Sequence, residues 1–92
     1  MELNMTENAQ RVYTIIAMTK RFSSFDRIDV LDPTTYQVMI TRNGQEPLWV
    51  TMGRRSWEGF TLGETVIFVG KSLWHEGLYP TFPIVVEVSE VA

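Results

Sequence analysis

The chain has 92 residues, of which 45% are hydrophobic and 21% charged. We predict a single domain over residues 1–92, because this length fits one domain and can bury a core without cross-links. The absence of cysteine excludes disulfides and thiolate metal sites. The net charge of −3 and the pI of about 5.0 argue against a generic nucleic-acid binder, since such proteins usually carry a basic stripe.

The N-terminal residues 1–8 are acidic and polar, without the basic start and apolar centre of a secretory signal. No apolar run approaches the roughly 20 residues that span a bilayer. We therefore expect a cytoplasmic protein. All eight basic residues lie between Arg11 and Lys71, where six acidic residues accompany them, so the middle of the chain is slightly basic.

Residues 9–20 support two interpretations. Their apolar positions fit the i, i+3, i+4 spacing of an amphipathic helix, which would pack on an antiparallel sheet in an α+β fold. The run Val12-Tyr-Thr-Ile-Ile16 is dense in β-branched and aromatic residues, which suit a pleated sheet better. We favour a strand over residues 11–20 and keep the helix as the alternative.

Two strands are predicted around a proline turn. Residues 27–31 form a short strand, and residues 32–35 form a turn in which Pro33 sets the backbone and Asp32 accepts amide hydrogen bonds. Residues 36–41 form the next strand, with alternate side chains on one face.

The dipeptide Asn43-Gly44 predicts a hairpin. A two-residue turn leaves neither face cleanly apolar, whereas a three-residue loop at 42–44 pairs Thr41 with Gln45 and Val38 with Leu48. We choose the three-residue loop because burial of one face specifies register. It gives one apolar face, formed by Tyr36, Val38, Ile40, Leu48, Val50 and Met52. The opposite face carries Gln37, Met39, Thr41, Trp49 and Thr51.

The second half of the chain is predicted as a connector at 53–63 with a helical turn at 55–58, a strand at 64–69, a loop at 71–83 and a final strand at 84–91. Residues 66–69 are all apolar, so both faces of that strand must be covered. We expect the core to cover one face, and the loop around residues 74–82 or the N-terminal segment to cover the other. In the last strand, Ile84, Val86 and Val88 point one way.

Two stretches resemble an OB-fold, a five-stranded Greek-key barrel. Ile28-Asp-Val-Leu-Asp-Pro-Thr-Thr-Tyr-Gln-Val resembles its second and third strands, and Leu62-Gly-Glu-Thr-Val-Ile-Phe-Val-Gly70 resembles its fourth. SH3-like barrels share the Gly-Glu-x-Val lead-in of the second stretch. The expected fold is therefore mainly β, a small five- to six-stranded antiparallel barrel of OB-like or SH3-like type with a possible short helix.

The chain offers little for catalysis. His75 is the only histidine, and His75-Glu76 does not continue into a zinc-protease motif. Asp26, Asp29 and Asp32 are more typical of a solvated strand edge than of a cation site. We predict no enzyme activity, no cofactor and no metal site.

The more suggestive feature combines arginines with aromatic residues. Gly53-Arg-Arg-Ser56 offers guanidinium groups for a phosphate, and Trp49 and Trp57 offer flat rings on which bases stack. We expect a non-catalytic binding module that contacts a protein partner, a second copy of itself or single-stranded nucleic acid; a homo-oligomeric protein without a nucleic-acid role is the alternative. The candidate partner-binding residues are Met39, Arg42, Trp49, Thr51, Arg54, Arg55 and Trp57.

Overall fold

A computed structural model describes residues 11–21 and 35–90. These residues form seven strands, one short helix and a 3-10 turn at Glu76–Leu78. The elements are β1 (Val12–Arg21), β2 (Thr35–Thr41), β3 (Leu48–Met52), α1 (Arg54–Glu58), β4 (Thr65–Val69), β5 (Ser72–His75), β6 (Ile84–Val85) and β7 (Glu87–Glu90). The predictions of a mainly β fold and of a short helical turn after residue 53 are confirmed.

All seven strands belong to one antiparallel sheet with the order β6-β5-β4-β1-β2-β3-β7. The prediction of a closed barrel of five or six strands is wrong, because the described residues form no ladder that joins the two edges. The edges nevertheless meet, since β6 and β7 lie at opposite edges and only Val86 separates them in the chain. Its N–H donates to the carbonyl of Lys71 at 2.9 Å.

The ambiguous segment after residue 10 is a strand, as favoured. β1 pairs with β4 at its start and with β2 along most of its length. The register with β2 shifts between Ile15 and Ala17, which leaves Ile16 as an extra, 45% exposed residue. Such a bulge bends a strand and increases its twist, so β1 can pair with both β4 and β2 although these two strands diverge.

The core lies on the face predicted from the alternation of β2 and β3. Val38, Ile40 and Val50 are fully buried, and Leu48 is half-buried against them. β1, β4 and β5 contribute further side chains to the same cluster. Its buried members are Tyr13, Ile15, Val38, Ile40, Val50, Met52, Phe60, Val66, Leu73 and Val86.

The hairpin register differs from the prediction by two residues. Ile40 pairs with Leu48 and Val38 with Val50, so six residues, 42–47, connect the strands. A turn forms within this connection, where Gln45 N donates to Arg42 O at 3.0 Å and Gly44 has φ +77°. Pro47 has no N–H and cannot extend the ladder toward the turn, which accounts for the longer loop. An even shift keeps every side chain on its predicted face.

A glycine turn and bulge introduce β4. Glu64 N donates to Thr61 O, and Gly63 takes φ +88° at the third turn position, as in a type II turn. Ile15 N donates to Glu64 O at 3.0 Å while Gly63 N donates to Ile15 O at 2.9 Å. Gly63 and Glu64 therefore both lie opposite Ile15 of β1. This is the arrangement of a β-bulge with a left-handed glycine.

Replacing Gly63 by alanine is expected to destabilise the fold by about 1–2 kcal/mol, the cost of placing an L side chain in the left-handed region. The strain is conformational, because a Cβ at this position meets no atom within 4 Å. Urea unfolding measures the change. Gly77→Ala is the matched control, since its site is also open and its φ is not positive. Equal effects for the two variants would contradict the account of the turn.

Both faces of β4 are covered, as its sequence predicts. Val66 is fully buried in the core, and Ile67, which points the other way, is 8% exposed. On that outer side Ile67 lies between Val12 of β1 and Trp74 of β5. The ring of Trp74 packs edge-on against Tyr79 at 4.9 Å between centroids, so the loop after β5 contributes to the cover.

The prediction of a loop over residues 71–83 is wrong for its first part. Residues 72–75 form β5, which pairs with β4 across the two-residue turn Gly70-Lys71. Leu73 is fully buried, whereas Leu78 and Phe82 are 42% and 62% exposed. The loop therefore packs down at its start and exposes apolar side chains further on.

The last predicted strand is divided at Val86 into β6 and β7. Ile84 and Val86 point the same way, as predicted, and both contribute to the core. Val88 is 38% exposed because β7 is an edge strand. The predicted strand at 27–31, the turn residues 32–34 and the residues Asp26, Asp29 and Asp32 lie outside the described residues. Within residues 11–21 and 35–90, no helix is long and apolar enough to cross a membrane.

Candidate partner-binding face

We define the outer face as the side of β1, β2, β3 and β7 that points away from the core. Trp49 lies on it as predicted, directly paired with Met39 of β2 and with Ser89 of β7. Ala17 of β1 completes this row beyond Met39. Trp49 and Met39 are both half-buried. The row therefore places an indole and a thioether side by side on four paired strands.

A polar row runs beside it, centred on Gln37. This side chain is only 7% exposed, and its amide is satisfied on both sides. Arg21 Nη2 donates to Gln37 Oε1 at 2.6 Å, and Gln37 Nε2 donates to Thr51 Oγ1 at 3.0 Å. A buried amide needs such partners, because an unpaired polar group in a low dielectric is costly. The network fixes Thr51, a predicted site residue, and adds Arg21 to this face.

Arg42 does not join this face. It follows Ile40 with the same parity and therefore points to the core side, where its guanidinium lies 5.5 Å from the ring centroid of Tyr13. Its Nε is buried and has no hydrogen-bond acceptor among the described residues. Arg42 thus covers the end of the core as a cation over an aromatic ring.

Helix α1 carries the other predicted basic residues. Arg54 contacts Glu58 at 3.3 Å in an exposed i, i+4 pair, a type that contributes little to stability. Arg55 is exposed. The structure therefore brings Met39, Trp49 and Thr51 together and leaves these two arginines on a separate element.

Trp57, on the same helix, is engaged within the fold. Its Nε1 donates to the carbonyl of Gln37 at 3.0 Å, and its ring lies 5.6 Å from that of Tyr36. Lys20 lies 5.7 Å from the ring centroid. The indole is half-buried against the core, so its contacts anchor α1 beneath the sheet.

His75 falls within the predicted loop at 71–83, but it lies on β5 in a defined environment. Its Nδ1 is hydrogen-bonded to Glu64 Oε2, and its ring stacks on Phe60 at 4.2 Å. The other oxygen of Glu64 accepts the N–H of Thr61 at 3.0 Å. The contacts tie the turn before β4 to β5.

The described residues contain no group of three or more His, Asp or Glu side chains placed to hold a metal ion. Comparisons with known proteins give no further guidance, since no family model, curated protein or solved structure matches the chain. The sequence pattern placed Gln37 on this face but did not identify it as a site residue. It missed Arg21, because unbroken alternation from the core residues Tyr13 and Ile15 puts Arg21 on the core side, and the bulge at Ile16 reverses that parity.

Proposed function

We propose that this chain is a non-catalytic binding module whose outer face contacts a protein partner. The observation that carries the proposal is the cross-strand pair of Met39 and Trp49, which lies opposite the core on the same strands that build it. Tryptophan is enriched among residues that dominate binding energy, and methionine adapts to irregular surfaces. Thr51 and Arg21 add polar groups beside the pair.

The hydrogen bonds that hold the polar side chains of this face support recognition of a shaped surface. Arg21 and Thr51 are held by the buried amide of Gln37, so they lose little rotamer freedom when a partner binds. Trp49 lies between two paired strands and needs only two side-chain torsions to be fixed. A site whose groups are already ordered gives more affinity per contact.

A protein partner is favoured over single-stranded nucleic acid by the positions of the arginines. Stacking modules need cations along the same groove as the rings. Here the arginine on the outer face, Arg21, donates to Gln37, whereas Arg42 covers Tyr13 and Arg54 pairs with Glu58. The indole of Trp57 is engaged by the carbonyl of Gln37. The acidic pI of about 5.0 points the same way.

The proposal is tested by the substitution Trp49→Ala. Proteins captured from an extract by the wild-type chain are purified and titrated against wild type and variant by calorimetry. We expect the true partner to bind with a negative heat-capacity change and to lose at least about tenfold in affinity with the variant, as a central aromatic contact does.

The control for this experiment is Leu62→Ala, which removes a 63% exposed side chain on the turn before β4. Equal binding by wild type and Trp49→Ala, with circular dichroism showing both folded, would exclude the outer face. Fluorescence polarisation with a labelled single-stranded oligonucleotide addresses the nucleic-acid reading. Binding that weakens steeply as salt is raised would favour that reading instead.

A further inference from the structure

A second apolar surface, which adjoins the outer face at Thr51 and Glu87, lies on the chain after β5. Leu78, Phe82 and Val85 are 42%, 62% and 79% exposed, and we call these three residues the C-terminal patch. Phe82 N donates to the carbonyl of Leu78 at 3.3 Å, so the first two are adjacent. Large apolar side chains exposed together mark contact surfaces, because each costs free energy in water.

A groove adjoins this patch at Val85, between the end of β3 and the chain that links β6 to β7. The last pair of the ladder between β3 and β7 is Thr51 and Glu87. Val86, the residue before Glu87, is instead hydrogen-bonded to Lys71, next to β5. The space left open has a volume of about 330 Å³, at the lower end of the sizes that hold small ligands. It is lined by Thr51, Met52, Gly53, Val85, Val86 and Glu87.

The charges at this surface have opposite signs. Glu87 lines the groove, and Lys71 lies beside it, because its carbonyl accepts the N–H of Val86. Both side chains are exposed, and neither forms an ion pair among the described residues. One lysine and one glutamate that flank an apolar patch make the surface complementary to itself.

We propose that the C-terminal patch and groove bind a second copy of this chain about a twofold axis. Phe82 of each copy fills the groove of the other, and Lys71 of each copy faces Glu87 of the other. A twofold interface uses the same surface on both partners, so that surface must be complementary to itself. This surface meets that condition because it carries both the protruding Phe82 and the groove. The proposal does not depend on the function assigned to the outer face.

The first test is sedimentation equilibrium of the full chain from micromolar to millimolar concentration. We expect a reversible dimer with twice the 10.6 kDa chain mass. Phe82→Ser is expected to weaken the dimer by at least about tenfold, and Leu62→Ser, which changes an exposed apolar residue elsewhere, to leave it unchanged. A wild-type protein that stays monomeric throughout this range overturns the proposal.

Filling the groove gives a second variant without strain. Gly53 has an ordinary extended backbone, φ −71°, and a Cβ there meets no atom within 4 Å. Gly53→Leu should therefore fold, with an unchanged thermal transition, and dimerise at least about tenfold more weakly. A folded Gly53→Leu variant that dimerises like wild type excludes the groove as the acceptor.

Charge reversal distinguishes a specific twofold dimer from non-specific association. Lys71→Glu alone and Glu87→Lys alone are each expected to weaken self-association, because like charges then face each other. An equimolar mixture of the two variants should form a heterodimer, since each copy then supplies the sign that the other lacks. Failure of the mixture to recover association contradicts the assigned geometry.

Discussion

The substitution Leu73→Ala is expected to destabilise the protein by about 2–5 kcal/mol, the range for large-to-small changes in a packed core. Leu73 is fully buried, belongs to the central cluster and pairs with Phe68 on one side and Ile84 on the other. Removing its side chain leaves a cavity at the point where β4, β5 and β6 meet. Since these strands form one end of the sheet, the surroundings can collapse only by disturbing the ladders.

The measurement is the free energy of unfolding from urea denaturation, compared with the identical substitution Leu62→Ala. Leu62 is 63% exposed, and changes at such positions usually stay within about 0.5 kcal/mol. If the two variants differ by less than 1 kcal/mol or so, Leu73 does not lie in the core and the assignment of β5 is wrong.

The strand faces were predictable from sequence, but the register was not. Alternation in β2 and β3 correctly separates Val38 and Val50 from Met39 and Trp49, because side chains on a strand have a period of two. The same pattern fits any register shifted by an even number of residues. Only the missing N–H of Pro47 distinguishes the observed pairing from the predicted one, and its effect depends on the geometry of the turn.

β5 could not be recognised from its own residues. Ser72-Leu-Trp-His75 is too short for a clear period, and its single buried side chain, Leu73, carries little signal. The stronger indication lies before it. Gly70-Lys71 forms a two-residue loop whose first position has positive φ, and this is a known hairpin pattern. β5 can therefore be predicted only when the Gly70-Lys71 turn and the preceding strand β4 are considered together.

The candidate site was predictable where it depended on strand parity alone. That parity placed Trp49 beside Met39 on the outer face. Parity also assigns Arg42 to the core side, where it covers Tyr13, but a charged residue near a loop is easily interpreted as exposed. Trp57 lies on a single helical turn, and no local pattern shows that its indole reaches Gln37, twenty residues earlier.

Replacing Glu64 by alanine is expected to destabilise the fold by about 1.5–3 kcal/mol, the range for hydrogen bonds to a charged group. Its two carboxylate oxygens hold the N–H of Thr61 and the Nδ1 of His75, and its side chain is only 22% exposed. Loss of the carboxylate leaves the half-buried imidazole without its partner. The turn that sets the left-handed Gly63 is weakened at the same time.

Glu58→Ala provides the matched comparison for Glu64→Ala, because it removes a carboxylate of the same length that pairs with Arg54 at an exposed position. That change should cost no more than about 0.5 kcal/mol, the value of a surface i, i+4 pair. Urea unfolding of both variants, with the His75 ring resonances followed by NMR, separates the two positions. Glu64→Ala should shift those resonances and Glu58→Ala should not. Equal stabilities, or unchanged His75 signals in Glu64→Ala, would show that the carboxylate does not tie the turn to β5.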